Sequence, residues 1–158
     1  MHSRIIELGD EPIPTSERLS ECSIPDWFCA RIADYVDDNT NRTYDIQWFM
    51  ACLNGVATLE GEDKLVFAVD ARQKYFAPRY KRFRKALFEL DNVPMEGFDG
   101  IDKTYGIGEK MFRLQDAYDD EYGFYIYYRE ELMTEDEWMR FANLSKPYYF
   151  GGTVDYHF

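Results

Sequence analysis

The chain has 158 residues, with 30 Asp and Glu against 18 Lys and Arg, for a formal net charge of −12 and a pI near 4.6. Apolar residues make up 46% and aromatics 18%, enough to build a core that offsets chain entropy, which excludes a disordered chain. No run approaches the ~18 apolar residues of a membrane span, and the negative charge argues against direct binding to nucleic acid or an anionic membrane.

The opening MHSRIIELGDEPIP has too short an apolar run for a signal peptide, so a cytoplasmic protein is expected. Residues 3–8 read as a short strand, and Gly9, Pro12 and Pro14 mark a loop over 9–20. A helix is expected next, capped by Ser23 with Pro25 in its first turn. Phe28, Ile32, Tyr35 and Val36 recur at i, i+4, i+7 and i+8 on its apolar face, and the polar run DNTNRT over 38–43 stops it. A second helix covers about 45–53 and ends at Asn54-Gly55. Residues 56–60 and 64–69 form a hairpin about a turn at 61–63.

Asp70 then caps a helix that Pro78 should break or kink before it resumes to Leu90, with Tyr80, Phe83, Leu87 and Leu90 as its buried stripe. Residues 91–108 read as a long loop, and 110–115 is ambiguous. YGFYIYYR at 122–129 is aromatic and β-branched, hence a strand. Thr134 and Glu137 fit a capping box that opens a helix to about Asn143. Gly151-Gly152, between residues 148–150 and 153–158, is a hairpin signal. The class is a single α+β domain over 1–158, with a mostly antiparallel sheet and three to five helices.

Charge is segregated along the chain. Residues 1–70 carry −9, residues 71–88 carry +7 with no acid, and residues 89–158 carry −10. The candidate partner-binding acidic face comprises Asp34, Asp37, Asp38, Asp116, Asp119, Asp120, Glu121, Glu130, Glu131, Glu135, Asp136 and Glu137. Carboxylates at helical spacing stand about 5–6 Å apart at Cβ, a density that can imitate the anionic backbone of DNA. The basic segment contains Arg79, Lys81, Arg82, Arg84 and Lys85. Like charges at i,i+3 repel, so at least two of these five are expected to pair with the acids of 116–121 or 130–137, in the same chain or a second copy. Failing that, an external anion, nucleic acid first, is the better account of them.

Catalytic and metal motifs are sparse. Two histidines, His2 and His157, and no CxxC give no zinc spacing, and the acids near 99–102 and 116–121 miss the calcium-loop register. Gly106-Ile107-Gly108-Glu109-Lys110 fails the phosphate-loop pattern and reads as a flexible loop. Cys22, Cys29 and Cys52 make no disulfide framework, and those within helices are expected to act as small buried apolar residues. Neither catalytic residues, a metal site nor a cofactor is expected. A hydrolase using acids with a divalent ion is the least favoured alternative.

MHSRIIEL with its Pro-rich acidic turn, IADYVDD, YGFYIYY and the GGTVDYHF ending resemble small acidic proteins of gram-positive mobile elements, both conjugative elements and phages. That resemblance implies no activity and transfers no site residue. In size, acidity and aromatic content the chain is similar to the DNA-mimic antirestriction and anti-CRISPR proteins. The expected function is therefore a non-enzymatic interaction protein that inhibits a nucleic-acid-binding host defence effector. The alternative is a self-associating accessory protein of a mobile element, with a homodimer as its simplest form.

Overall fold

The computed structural model describes residues 1–100 and 106–158. The chain folds as an α+β domain on a mixed, mostly antiparallel sheet of seven strands. In chain order the strands are β1 (His2–Gly9), β2 (Tyr35–Asp37), β3 (Ala57–Glu60), β4 (Lys64–Phe67), β5 (Tyr125–Tyr128), β6 (Glu131–Thr134) and β7 (Tyr148–His157). The helices are α1 (Asp26–Arg31), α2 (Arg42–Cys52), α3 (Ala71–Asp91), α4 (Met95–Phe98), α5 (Ile107–Tyr118) and α6 (Glu135–Phe141). The four substantial ones are α2, α3, α5 and α6.

The sheet order is β3-β4-β7-β1-β5-β6, with β2 also paired to β7. Strand β1 runs antiparallel to β7 and parallel to β5, placing it at the centre. Its neighbouring isoleucines therefore serve opposite faces, as strand alternation requires. Ile6 enters a core with Phe49 of α2, Tyr75 of α3 and Trp138 of α6. Ile5 enters a second core with Leu19, Ile24, Phe28 and Ala33. One face of the sheet is thus covered by helices, and the other by the segment 10–38 between β1 and α2.

Several expectations are corrected. The helix expected from Ser23 is only the six residues of α1, preceded by Pro25 without a side-chain cap. The Asp34 N–H bonds the His157 carbonyl at 2.7 Å, and Tyr35 and Val36 pair with His157 and Tyr156. The open edge of β7 captures the chain as a strand before the helical period can continue.

Pro78 does not break α3, which runs through 21 residues. The lost N–H would have bonded the carbonyl of Lys74, an exposed residue at which water can substitute. Nor is the stripe of α3 as expected. Tyr80 is 62% and Leu87 40% exposed, whereas Ala71, Tyr75 and Ala86 are buried. Contact with α5 sets the inward face: Phe83 meets the Tyr118 ring at 6.4 Å, and the buried Ala86 and Ala117 belong to these two helices.

The loop expected over 91–108 contains α4, and its residues 101–105 lie outside the described residues. Its Gly106–Lys110 end is not a loop, since Gly106 caps α5 at φ 55° and the next four residues are helical. The sequence reading also missed β6, which pairs with β5 through a two-residue turn. Arg129 and Glu130 sit there at φ 53° and 65°, the conformation of a type I′ hairpin. The cysteines are corrected too, for Cys22, Cys29 and Cys52 are all exposed. Phe28 is the buried residue of α1, which turns its neighbour Cys29 outward.

Gly151-Gly152 is not a hairpin, since β7 is continuous through it. Ile6 pairs with Thr153 and Leu8 with Phe150, leaving Glu7 opposite both glycines in a β-bulge. The Glu7 carboxylate folds into the space this opens. It accepts the Gly152 N–H at 2.6 Å and the Leu19 N–H at 2.7 Å, tying the 10–38 cover to the sheet. A Cβ on Gly151 would meet that carboxylate at 2.0 Å, and one on Gly152 would meet the Leu19 backbone at 2.6 Å. Gly152→Ala should therefore cost about 1–3 kcal/mol or more, because a backbone and not a mobile side chain must move. Urea unfolding of this variant should show a clearly lower midpoint; an unchanged midpoint would contradict the bulge geometry.

Candidate interaction surfaces

The two covers of the sheet differ in sign. The 10–38 cover carries eight acids and two bases, a net −6. On the helical side, the stretch 71–88 of α3 carries seven bases and no acid.

Within the cover, Asp34, Asp37 and Asp38 are all exposed around edge strand β2, as expected. Asp37, Asp38 and Glu21 bring carboxylate oxygens within 4.8 Å of one another. The loop holds them there: the Asp37 carboxylate accepts the Asn39 N–H at 2.8 Å, and that of Asp38 accepts the Glu21 N–H at 3.1 Å. Beside them the two histidines, far apart in sequence, meet across the β1–β7 ladder with ring centroids 5.0 Å apart. His2 Nδ1 lies 2.8 Å from Asp155, and His157 Nδ1 lies 3.1 Å from Asp34.

The remaining acidic candidates do not form one continuous face. Glu121, Glu130, Glu131 and Glu137 are exposed, while Asp116 is half-buried on α5. Asp119 is half-buried and accepts the Thr134 hydroxyl at 2.6 Å. Asp120, also half-buried, bonds the Tyr122 N–H at 3.2 Å. Glu135 and Asp136 are buried, so neither belongs to an exposed face. The capping box explains why: Thr134 accepts the Glu137 N–H at 3.1 Å, and that start of α6 turns the two acids between them and Trp138 inward.

Inside, these two acids meet α3. Tyr75 donates its hydroxyl to Asp136 at 2.8 Å, the Asp120 N–H donates to the other oxygen at 2.9 Å, and the Arg79 guanidinium pairs with the same carboxylate. The Arg79 guanidinium also lies 4.0 Å from the centre of the Tyr75 ring, a cation–π contact. Burial pushes the Glu135 carboxyl up to about 7, with Arg79 opposing and Asp136 adding to the shift. Burial likewise raises Asp120, with the Asp116 charge adding to it. A cavity of about 300 Å³ lies beside this group, with Trp48, Cys52 and Tyr122 on its walls. Burial raises the Cys52 thiol, with the Glu135 charge adding to it. Both oxygens of Asp136 are engaged within the fold, so this cluster joins α3 to α6 and to the start of β5.

The basic segment departs from expectation. Of its five named bases, Arg79 alone pairs with the acids of 116–121 or 130–137. Lys85 reaches Glu89 on its own helix at 3.9 Å. Lys81, Arg82 and Arg84 are exposed and make no ion pair among the described residues. Within one chain the pairing falls short of two because α3 turns Arg79 towards α6 and the other bases elsewhere.

No helix among the described residues is long and apolar enough to cross a membrane. In comparisons with known proteins, the chain matches no family model, no curated protein and no solved structure.

Proposed function

We propose that this chain is a non-enzymatic interaction protein whose acidic cover occupies the phosphate-binding groove of a nucleic-acid-binding protein, in the manner of a DNA mimic. The observation that carries the reading is the concentration of charge on one cover of the sheet, a net −6 over residues 10–38. Asp34, Asp37 and Asp38 stand exposed on it, and Glu21 closes to within 4.8 Å of the last two. Mutual repulsion in such a group works against the fold, and a basic groove would relieve it on contact. The Glu7 anchor to Leu19 and Gly152 fixes the cover before binding, so little ordering entropy remains to be lost there. The partner class, a restriction or CRISPR effector, comes from the likeness in size, acidity and aromatic content to DNA-mimic antirestriction and anti-CRISPR proteins.

The test is displacement of a duplex oligonucleotide from such an effector. The chain should release the DNA at low salt and lose potency steeply as salt rises, as charge-driven association requires. Asp34→Lys with Asp37→Lys should weaken displacement by about tenfold or more. Failure to displace DNA from any of a panel of effectors at low salt would overturn the reading.

A further inference from the structure

We propose that the outward face of α3 is a docking surface for the acidic cover of a second copy of this chain, giving head-to-tail association. This rests on the cover described above but not on any foreign partner.

The helical period of α3 separates two faces. Ala71, Tyr75 and Ala86 are buried inward with Arg79, which leaves Tyr80, Lys81, Arg84, Lys85 and Phe88 outward. Tyr80 and Phe88 are 62% and 69% exposed, an aromatic content that a solvated face does not need. Lys81 stands at i,i+3 from Arg84 and i,i+4 from Lys85, spacings at which like charges repel. Lys81 and Arg84 have no acid within ion-pair distance among the described residues. The face is therefore basic, partly apolar and short of counter-charge.

The complementary surface is the acidic segment 10–38. The apolar residues of this net −6 segment pack on the face that holds Ile5, and the segment ends at edge strand β2, where Asp34 and Asp37 stand exposed, Asp34 beside His157; α3 begins on the face that holds Ile6. Lys81 and Arg84 make no ion pair with the acids of residues 10–38 of their own chain, and those of a second copy are free to meet them. The net charge of −12 on each copy opposes approach overall, and the local match of the +7 stretch 71–88 with the −6 segment 10–38 is what offsets it at contact. A contact between two different patches is heterologous, so it builds rings or open chains and not a two-fold dimer.

The test is sedimentation velocity on the full chain at about 0.05 M and about 0.5 M salt. The expected result is concentration-dependent association at low salt that dissolves at high salt. Lys81→Glu with Arg84→Glu should abolish it, as should Asp34→Lys with Asp37→Lys. Mixing these two variants should restore a 1:1 complex, because each retains the face the other has lost. The neutral pair Lys81→Gln and Arg84→Gln, checked by thermal melting, covers the case in which charge reversal disturbs folding. A monomer at high concentration and low salt would overturn the proposal, as would association indifferent to the α3 variants. Retardation of an oligonucleotide that is lost in Lys81→Glu with Arg84→Glu would overturn it in favour of nucleic acid as the ligand of α3. The same α3 variants should leave displacement of DNA from an effector intact, so failure of this proposal and failure of the proposed function read out separately.

Discussion

Asp136→Ala should destabilise the fold by about 3–5 kcal/mol, the usual cost of removing one partner from a buried ion pair. Asp136 is 1% exposed and serves three groups at once: the Tyr75 hydroxyl, the Arg79 guanidinium and the Asp120 backbone N–H. Truncation leaves the buried Tyr75 hydroxyl without its acceptor and the half-buried Arg79 guanidinium without its counter-charge at the wall of the adjoining cavity. Asp136→Asn should cost less, because the amide oxygen still accepts from Tyr75 or Asp120 while the charge on Arg79 goes unanswered. Urea unfolding followed by circular dichroism measures both. Equal stability of Asp136→Ala and the parent chain would contradict a structural role for the cluster.

The neighbouring carboxyl is expected to behave in the opposite sense. Glu135 rises from 4.5 to about 7 on folding, chiefly through burial, so the folded chain holds its proton more tightly than the unfolded one. Stability from this group is complete below the unfolded value and is lost as pH rises through the folded value. The window runs from about 4.5 to about 7, and the shift corresponds to about 3 kcal/mol. Glu135→Gln removes the titration while keeping the shape. Relative to this variant, the parent chain should lose stability between those pH values and level off above them. Asp120, Asp136, Arg79 and Tyr75 all face the group, and because they are present in both proteins the difference isolates Glu135. A constant difference across the range would show that Glu135 does not titrate as its burial demands.

The fold class, β1, the hairpin of β3 and β4, and the capping box at Thr134 were legible in the sequence because local chemistry decides each of them. What was not legible depends on distant partners. The short α1 and strand β2 exist because β7 offers an open edge more than 100 residues away. The bulge at Gly151-Gly152 needs Glu7, and a glycine pair in isolation reads the same whether the chain turns or leaves room for a carboxylate. In the candidate face, Asp34, Asp37 and Asp38 are exposed, though around strand β2 and not on the polar side of a helix. Glu135 and Asp136 are buried, and acidity alone does not show which carboxylates meet an arginine. One signal was available: Tyr75 and Arg79 are four residues apart on a helix, placing a hydroxyl and a guanidinium on one face ready for a buried acid.

On the proposed function, the surface charge of residues 10–38 is a binding determinant and not a solubility device. The direct measurement is the affinity of a restriction or CRISPR effector for this chain across a salt series, with the parent compared to Asp34→Lys with Asp37→Lys. The parent is expected to bind with a steep salt dependence, and the variant to melt like the parent yet bind about tenfold or more weakly with a shallower slope. Binding by the correctly folded variant as tight as that of the parent, with the same salt slope, would contradict it.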